Sequence, residues 1–80
     1  MTEITIRVPQ QLGPVLRGFR RDKGLTQAAV GQRTGIPQTD ISSIELNPGP
    51  VSFERISRLA AALDLEIVLR PRAKAQKTAW

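Results

Sequence analysis

The sequence predicts a mainly α-helical single domain of four to five short helices, framed at its N- and C-terminal ends by short β-strands. Apolar residues recur at helical spacing through most of the chain, glycine and proline cut that pattern into short pieces, and the ends alternate with period two. Its 80 residues leave room for one domain only. Hydrophobic residues make up 40% and aromatic residues only 4%, so the core has to be aliphatic.

The elements follow in order. Ile4, Ile6 and Val8 alternate with Glu3, Thr5 and Arg7, the pattern of a half-buried strand, which Pro9 ends. Across residues 11–23, Leu12, Val15, Leu16 and Phe19 form a helical stripe that leaves Arg17, Arg20 and Arg21 on the outer arc. Pro14 is tolerated only in a first turn, so the regular helix starts at or just before it. Gly24 closes this helix, and Thr26 is placed to cap a second over residues 27–34, which Gly35 breaks. Pro37 suits the first turn of a third helix, whose buried side is Ile41 and Ile44. Asn47, Pro48, Gly49 and Pro50 form a loop, and Ser52 caps a fourth helix with the stripe Phe53, Ile56, Leu59, Ala60 and Leu63. Leu65, Ile67 and Leu69 alternate with Glu66, Val68 and Arg70 and predict a second strand. The expected organisation is a domain over residues 1–70 and a basic, flexible tail over residues 71–80 that ends in Trp80.

The charge is +5, and it is unevenly placed. Residues 70–80 hold Arg70, Arg72, Lys74 and Lys77 with no acid, while residues 1–69 are close to neutral, with eight bases against seven acids. Within the body, Arg17, Arg20, Arg21, Lys23 and Arg33 stand against the single Asp22, a basic patch that suits an anionic partner. There is no cysteine and no histidine, so thiolate metal sites, disulfides and the usual general base are missing. Ser42 and Ser43 have no such partner to activate them, so no enzyme and no cofactor is expected. No apolar run approaches the roughly 20 residues that cross a bilayer, and the N-terminus has no signal-like stretch, so a cytoplasmic protein without a membrane partner is expected.

The informative unit is residues 27–45, QAAVGQRTGIPQTDISSIE, which sets small and aliphatic residues at the offsets of a helix-turn-helix. Gly31 is small where the second and third helices approach, Gly35 makes the turn, and Val30, Ile36, Ile41 and Ile44 plug the angle between the helices. With Ile41 and Ile44 inward, Gln38, Thr39, Ser42 and Ser43 remain on the outer face of the third helix, towards the end that enters a major groove.

The segments GLTQ at residues 24–27 and TGIPQTDISSIE at residues 34–45 resemble the Xre or Cro/repressor type of helix-turn-helix, the lambda-repressor-like fold, over about residues 10–65. That resemblance implies that Gln27 contacts backbone phosphate and supports the next helix. It also implies that Gln38 reads a base, where its amide suits adenine N6 and N7. Thr39 and Ser42 match neighbouring groove-facing positions, Ser43 on the same outer face is a further candidate base contact, and Thr26 and Arg33 join Gln27 as candidate phosphate contacts. Three residues depart from the family pattern. Pro37 replaces a polar residue, Thr34 replaces an aliphatic one, and Asp40 puts a carboxylate on the reading helix, where it either faces away or accepts from cytosine N4.

The LDLEIVLRPR strand, the basic tail and Trp80 resemble HipB-type antitoxins more narrowly. This resemblance implies a homodimer on a palindromic operator of double-stranded DNA, a HipA-like kinase toxin as partner, and repression of the chain's own operon. Leu65, Ile67 and Leu69 are then dimerisation residues; alternatively they pair with the strand at Ile4 to Val8 inside one protomer, or do both. Trp80 is either a toxin-binding anchor or a plain chain end. One such module buries only about 600–1,000 Å² on DNA, so a dimer is expected, its reading helices about 34 Å apart. A stand-alone transcription factor and a protein-interaction module are the alternatives.

Overall fold

The computed structural model describes residues 3–72. A 3-10 turn at Pro9–Gln11 leads into four helices, α1 Leu12–Asp22, α2 Gln27–Thr34, α3 Gln38–Leu46 and α4 Phe53–Ala62. Pro14 lies in the first turn of α1, where its missing N–H leaves no hydrogen bond unmade. Thr26 Oγ1 accepts from the Ala29 amide and Ser52 Oγ from the Arg55 amide, so α2 and α4 begin where their caps stand. Gly35 ends α2 with φ of 77°, a left-handed conformation that a side chain would oppose. α4 ends the same way at Asp64, with φ of 59°, one of the few non-glycine residue types that accept it.

The core is aliphatic. Leu16, Val30, Ile36, Ile41, Ile44, Ile56, Leu59 and Leu63 form one cluster, with Leu12, Phe19, Leu25, Val51 and Leu65 packed around it. α3 sits against both α1 and α2, and α4 against α2. Val30, Ile36 and Ile41 are the most completely enclosed side chains, so the α2–α3 corner is where the fold is tightest. Thr34 fits this apolar corner because its hydroxyl donates to the Val30 carbonyl at 2.8 Å and accepts from the Ile36 amide at 3.1 Å. No helix among the described residues is long and apolar enough to cross a membrane.

Three expectations are corrected. Neither terminal strand forms: residues 3–8 and 65–72 lie outside regular structure, because a strand needs a ladder partner and neither finds one in the single chain. Arg20 is not on the outer arc but is buried, since it lies one turn past Leu16 on the face turned to the core. Phe53 is 69% exposed rather than part of the α4 stripe; it opens the helix directly after the cap, beyond the reach of the core. Residues 73–80, with Trp80 and most of the expected flexible tail, lie outside the described residues.

Candidate nucleic-acid interface

The predicted reading face is open. Gln38, Thr39 and Ser43 are exposed and Ser42 is partly so, while Ile41, Ile44 and Glu45 turn inward. Positions one turn apart, 38 with 42 and 39 with 43, share the solvent side of α3. α3 begins at Gln38, and Pro37 stands before it with extended backbone, its carbonyl accepting from the Asp40 and Ile41 amides. Gln38 therefore stands at the leading tip. An open groove runs along the outside of the corner, lined by Ala28, Gly31, Gln32, Gly35, Pro37 and Gln38. Ser43 is less available than its neighbours, because its hydroxyl donates back to the Thr39 carbonyl at 3.1 Å.

Asp40 does not share that face with free valence. Its carboxylate accepts from Arg55 of α4 at 2.9 Å, which neutralises the one acid of the reading helix that lies near the groove end. Both side chains are partly exposed, so the pair adds little stability; its effect is on charge.

Beneath the reading helix lies a polar cluster that composition alone did not reveal. Arg20 Nε donates to Glu45 Oε2 at 2.7 Å and its NH2 group to Glu45 Oε1 at 3.1 Å, a two-bond clamp between α1 and the end of α3. The NH1 group of Arg20 donates to the Leu25 carbonyl at 2.9 Å and Gln27 Nε2 to Glu45 Oε1 at 3.1 Å. Burial pushes the Glu45 carboxyl up, but the hydrogen bonds from Arg20 and Gln27, with the charges of Arg20 and Arg17, outweigh it and hold the group below its ordinary value. No buried side-chain polar atom among the described residues lacks a partner. A signal for this cluster exists in the sequence: Arg20 follows Leu16 by four, and Glu45 follows Ile41 by four, so both fall on buried stripes.

The phosphate-contact candidates separate in the same way. Gln27 spends one amide hydrogen on Glu45 and keeps the other, with its carbonyl oxygen, for an outside partner. Thr26 uses its oxygen as a cap and retains its hydroxyl hydrogen. Arg33 is exposed, and no carboxylate among the described residues pairs with it. The basic patch is smaller than the sequence suggested, because Arg20 is neutralised internally and Lys23 pairs with Asp64 at 2.8 Å. Arg17, Arg21 and Arg33 remain exposed and carry the field. Of the candidate dimerisation residues, Leu65 packs on the core, while Ile67 is 48% and Leu69 is 94% exposed.

The chain is similar to known proteins. A family model described as a helix-turn-helix domain matches residues 11–73. The chain is similar to the antitoxin HipB of Escherichia coli O6:H1, at 31% identity over 61 residues that span 76% of this chain and 65% of the relative. It is likewise similar to the antitoxin HipB of Escherichia coli K12, at 30% identity over 61 residues, 76% of this chain and 69% of the relative. The chain thus spans about two thirds of the length of these curated relatives. Among solved structures it resembles a HipB–O4 20mer complex and a HipA–HipB–O2–O3 complex, each with a TM-score of 0.83 at 27% identity, covering 89% of this chain and 100% of the other.

Proposed function

The chain belongs to the helix-turn-helix domain family and is similar to HipB antitoxins, and on that premise we propose that it is a sequence-specific DNA-binding repressor, the antitoxin of a HipBA-like pair that represses its own operon. α3 enters the major groove with Gln38 leading. Gln38 pairs with one base edge, and Thr39, Ser42 and, more weakly, Ser43 touch its neighbours. Thr26, Gln27 and Arg33 hold the sugar-phosphate backbone and set the register, while the bases give the sequence preference. Two chains joined through Leu65, Ile67 and Leu69 present two such helices to a palindrome, and the occupied operator excludes polymerase. A repressor of this kind works in the cytoplasm beside its DNA, and no chemical step is assigned to it. A HipA-like kinase is the protein partner, with Trp80 as the anchor.

The observation that carries this reading is the division of α3. Its aliphatic residues lock the corner at 1–2% exposure, so the side chains on its opposite face are held rigidly and project together. Burial fixes the readers even though none of them is itself buried.

Selection from random duplexes tests it. The full chain is expected to enrich a palindrome with half-sites about one helical turn apart. Gln38→Ala is expected to lose about 1–3 kcal/mol of discrimination at one base position per half-site and to leave the salt dependence unchanged. Arg33→Ala should instead weaken all duplexes alike and lower the log-log salt slope by about 0.9 for each phosphate it no longer neutralises. Enrichment of no sequence, or a flat salt response, rejects the DNA-binding reading. Addition of a HipA-like kinase is expected to shift the emission of Trp80, the single tryptophan, to the blue. A stable complex with unchanged emission removes the anchor, and no complex at all leaves a repressor without a toxin.

A further inference from the structure

Eight large hydrophobic side chains are exposed among the described residues, and six of them, Ile4, Ile6, Val8, Ile67, Val68 and Leu69, lie on the two terminal segments. So strong a concentration of apolar surface marks a place that something covers. The two segments already touch, since Arg70 donates to a Glu3 carboxylate oxygen at 3.3 Å and to Thr5 Oγ1 at 3.5 Å.

If Glu3 and Arg70 are opposed in an antiparallel pair, every other pairing is fixed, and opposed residues share a face. Ile4 then meets Leu69, Ile6 meets Ile67 and Val8 meets Leu65, an unbroken apolar face. On the other face Glu3 meets Arg70, Thr5 meets Val68 and Arg7 meets Glu66, so both charge pairs are of opposite sign. A slip by one residue sets Ile4 against Arg70 and Val8 against Glu66 and ruins both faces.

We propose that residues 3–8 are the outer strand of a four-stranded antiparallel sheet that two copies of this chain build, with residues 65–70 of each copy as the inner strands. The proposal rests on the dimer reading above and adds to it the N-terminal segment, its register and its face. A second copy is the occupant because the inner segment complements itself. Paired about Val68, it sets Glu66 against Arg70 of the second copy and Ile67 against Leu69, with no like charges opposed. A two-stranded ribbon alone is marginal in water, which accounts for the missing ladder in the single chain; four strands with one apolar face over the helices are not marginal.

The chain has no cysteine, so introduced pairs report the register directly. Ile6→Cys with Ile67→Cys is expected to close a disulfide within one chain on mild oxidation, whereas Ile4→Cys with Ile67→Cys, two residues out of register, is not. By sedimentation equilibrium on the full chain, Ile6→Asp is expected to raise the dimer dissociation constant about tenfold or more. At protein concentrations where both chains are monomeric, the thermal melt of the helices should match that of the parent, because Ile6 lies outside the core of the single chain. Arg7→Glu should weaken the dimer, and Arg7→Glu with Glu66→Arg should restore it. If Leu69→Asp separates the copies and Ile6→Asp does not, the outer strand is overturned and the dimer reading stands. If neither variant separates them, both fail. A disulfide that links two chains, or loss of kinase binding by Ile6→Asp in a dimer that stays intact, also overturns the proposal.

Discussion

Glu45→Ala is expected to lose about 3–5 kcal/mol of folding stability, because it leaves the Arg20 guanidinium buried without its counter-ion. A domain of 80 residues has roughly 4–12 kcal/mol in all, so the variant should be partly unfolded near body temperature. The size comes from removing one partner alone. Replacing both, with Arg20→Met and Glu45→Leu, removes the two charges together and should recover much of the loss. Urea melts of the parent, the single variant and the double variant decide the matter. A single variant as stable as the parent means that the clamp does not hold α1 to α3.

The same group sets an acid limit. The carboxyl of Glu45 titrates below its ordinary value of 4.5 in the folded chain, so the unfolded chain takes up its proton first as pH falls. Its contribution is fully present above about 4.5, declines below it, and is gone once pH has passed through the lowered folded value. Glu45→Gln should flatten the stability profile in that acid window and nowhere near neutrality.

Most of the helical body was legible because its signals are local. Thr26 and Ser52 as caps, Gly35 as the turn and Ile41 with Ile44 as a buried pair are decided within a few residues, and helix boundaries followed from them. Arg20 reads as a surface residue by type, but its place one turn after Leu16 points inward, and only a carboxylate 25 residues away makes that tolerable. The terminal alternation was real as a pattern but not as structure, since Ile4, Ile6 and Val8 need a partner strand to become one. Of the candidate site, the exposure of Gln38 and Thr39 could be inferred by elimination. The pairing of Asp40 with Arg55 could not, because it depends on how α4 returns past α3.

Two glycines are expected to show how the body and the reading head can be separated. Both lie in helices, where alanine is ordinarily favoured by about 1 kcal/mol. At Gly13 a Cβ would stand 2.1 Å from the Glu45 carbonyl oxygen, so α1 would have to move off α3. That backbone displacement would also pull on the Arg20–Glu45 clamp. The cost should exceed the usual 1–3 kcal/mol for overpacking, and Gly13→Ala should lose stability and operator binding together. At Gly31 a Cβ would stand 2.7 Å from the Ile36 carbonyl oxygen, a conflict inside the turn that a smaller shift relieves. Here the helix preference offsets part of the strain, so Gly31→Ala should lose only about 1–2 kcal/mol of stability. The relief, however, tilts Gln38 and the rest of α3 against α2, whose N-terminus is the proposed phosphate hold. Affinity for the selected palindrome should therefore fall by more than the folded fraction explains. Calorimetry, with binding measured well below both melting temperatures, separates the two effects. A Gly31→Ala chain that melts with the parent and binds as tightly would show that the corner has slack, and that base reading does not depend on the angle between α2 and α3.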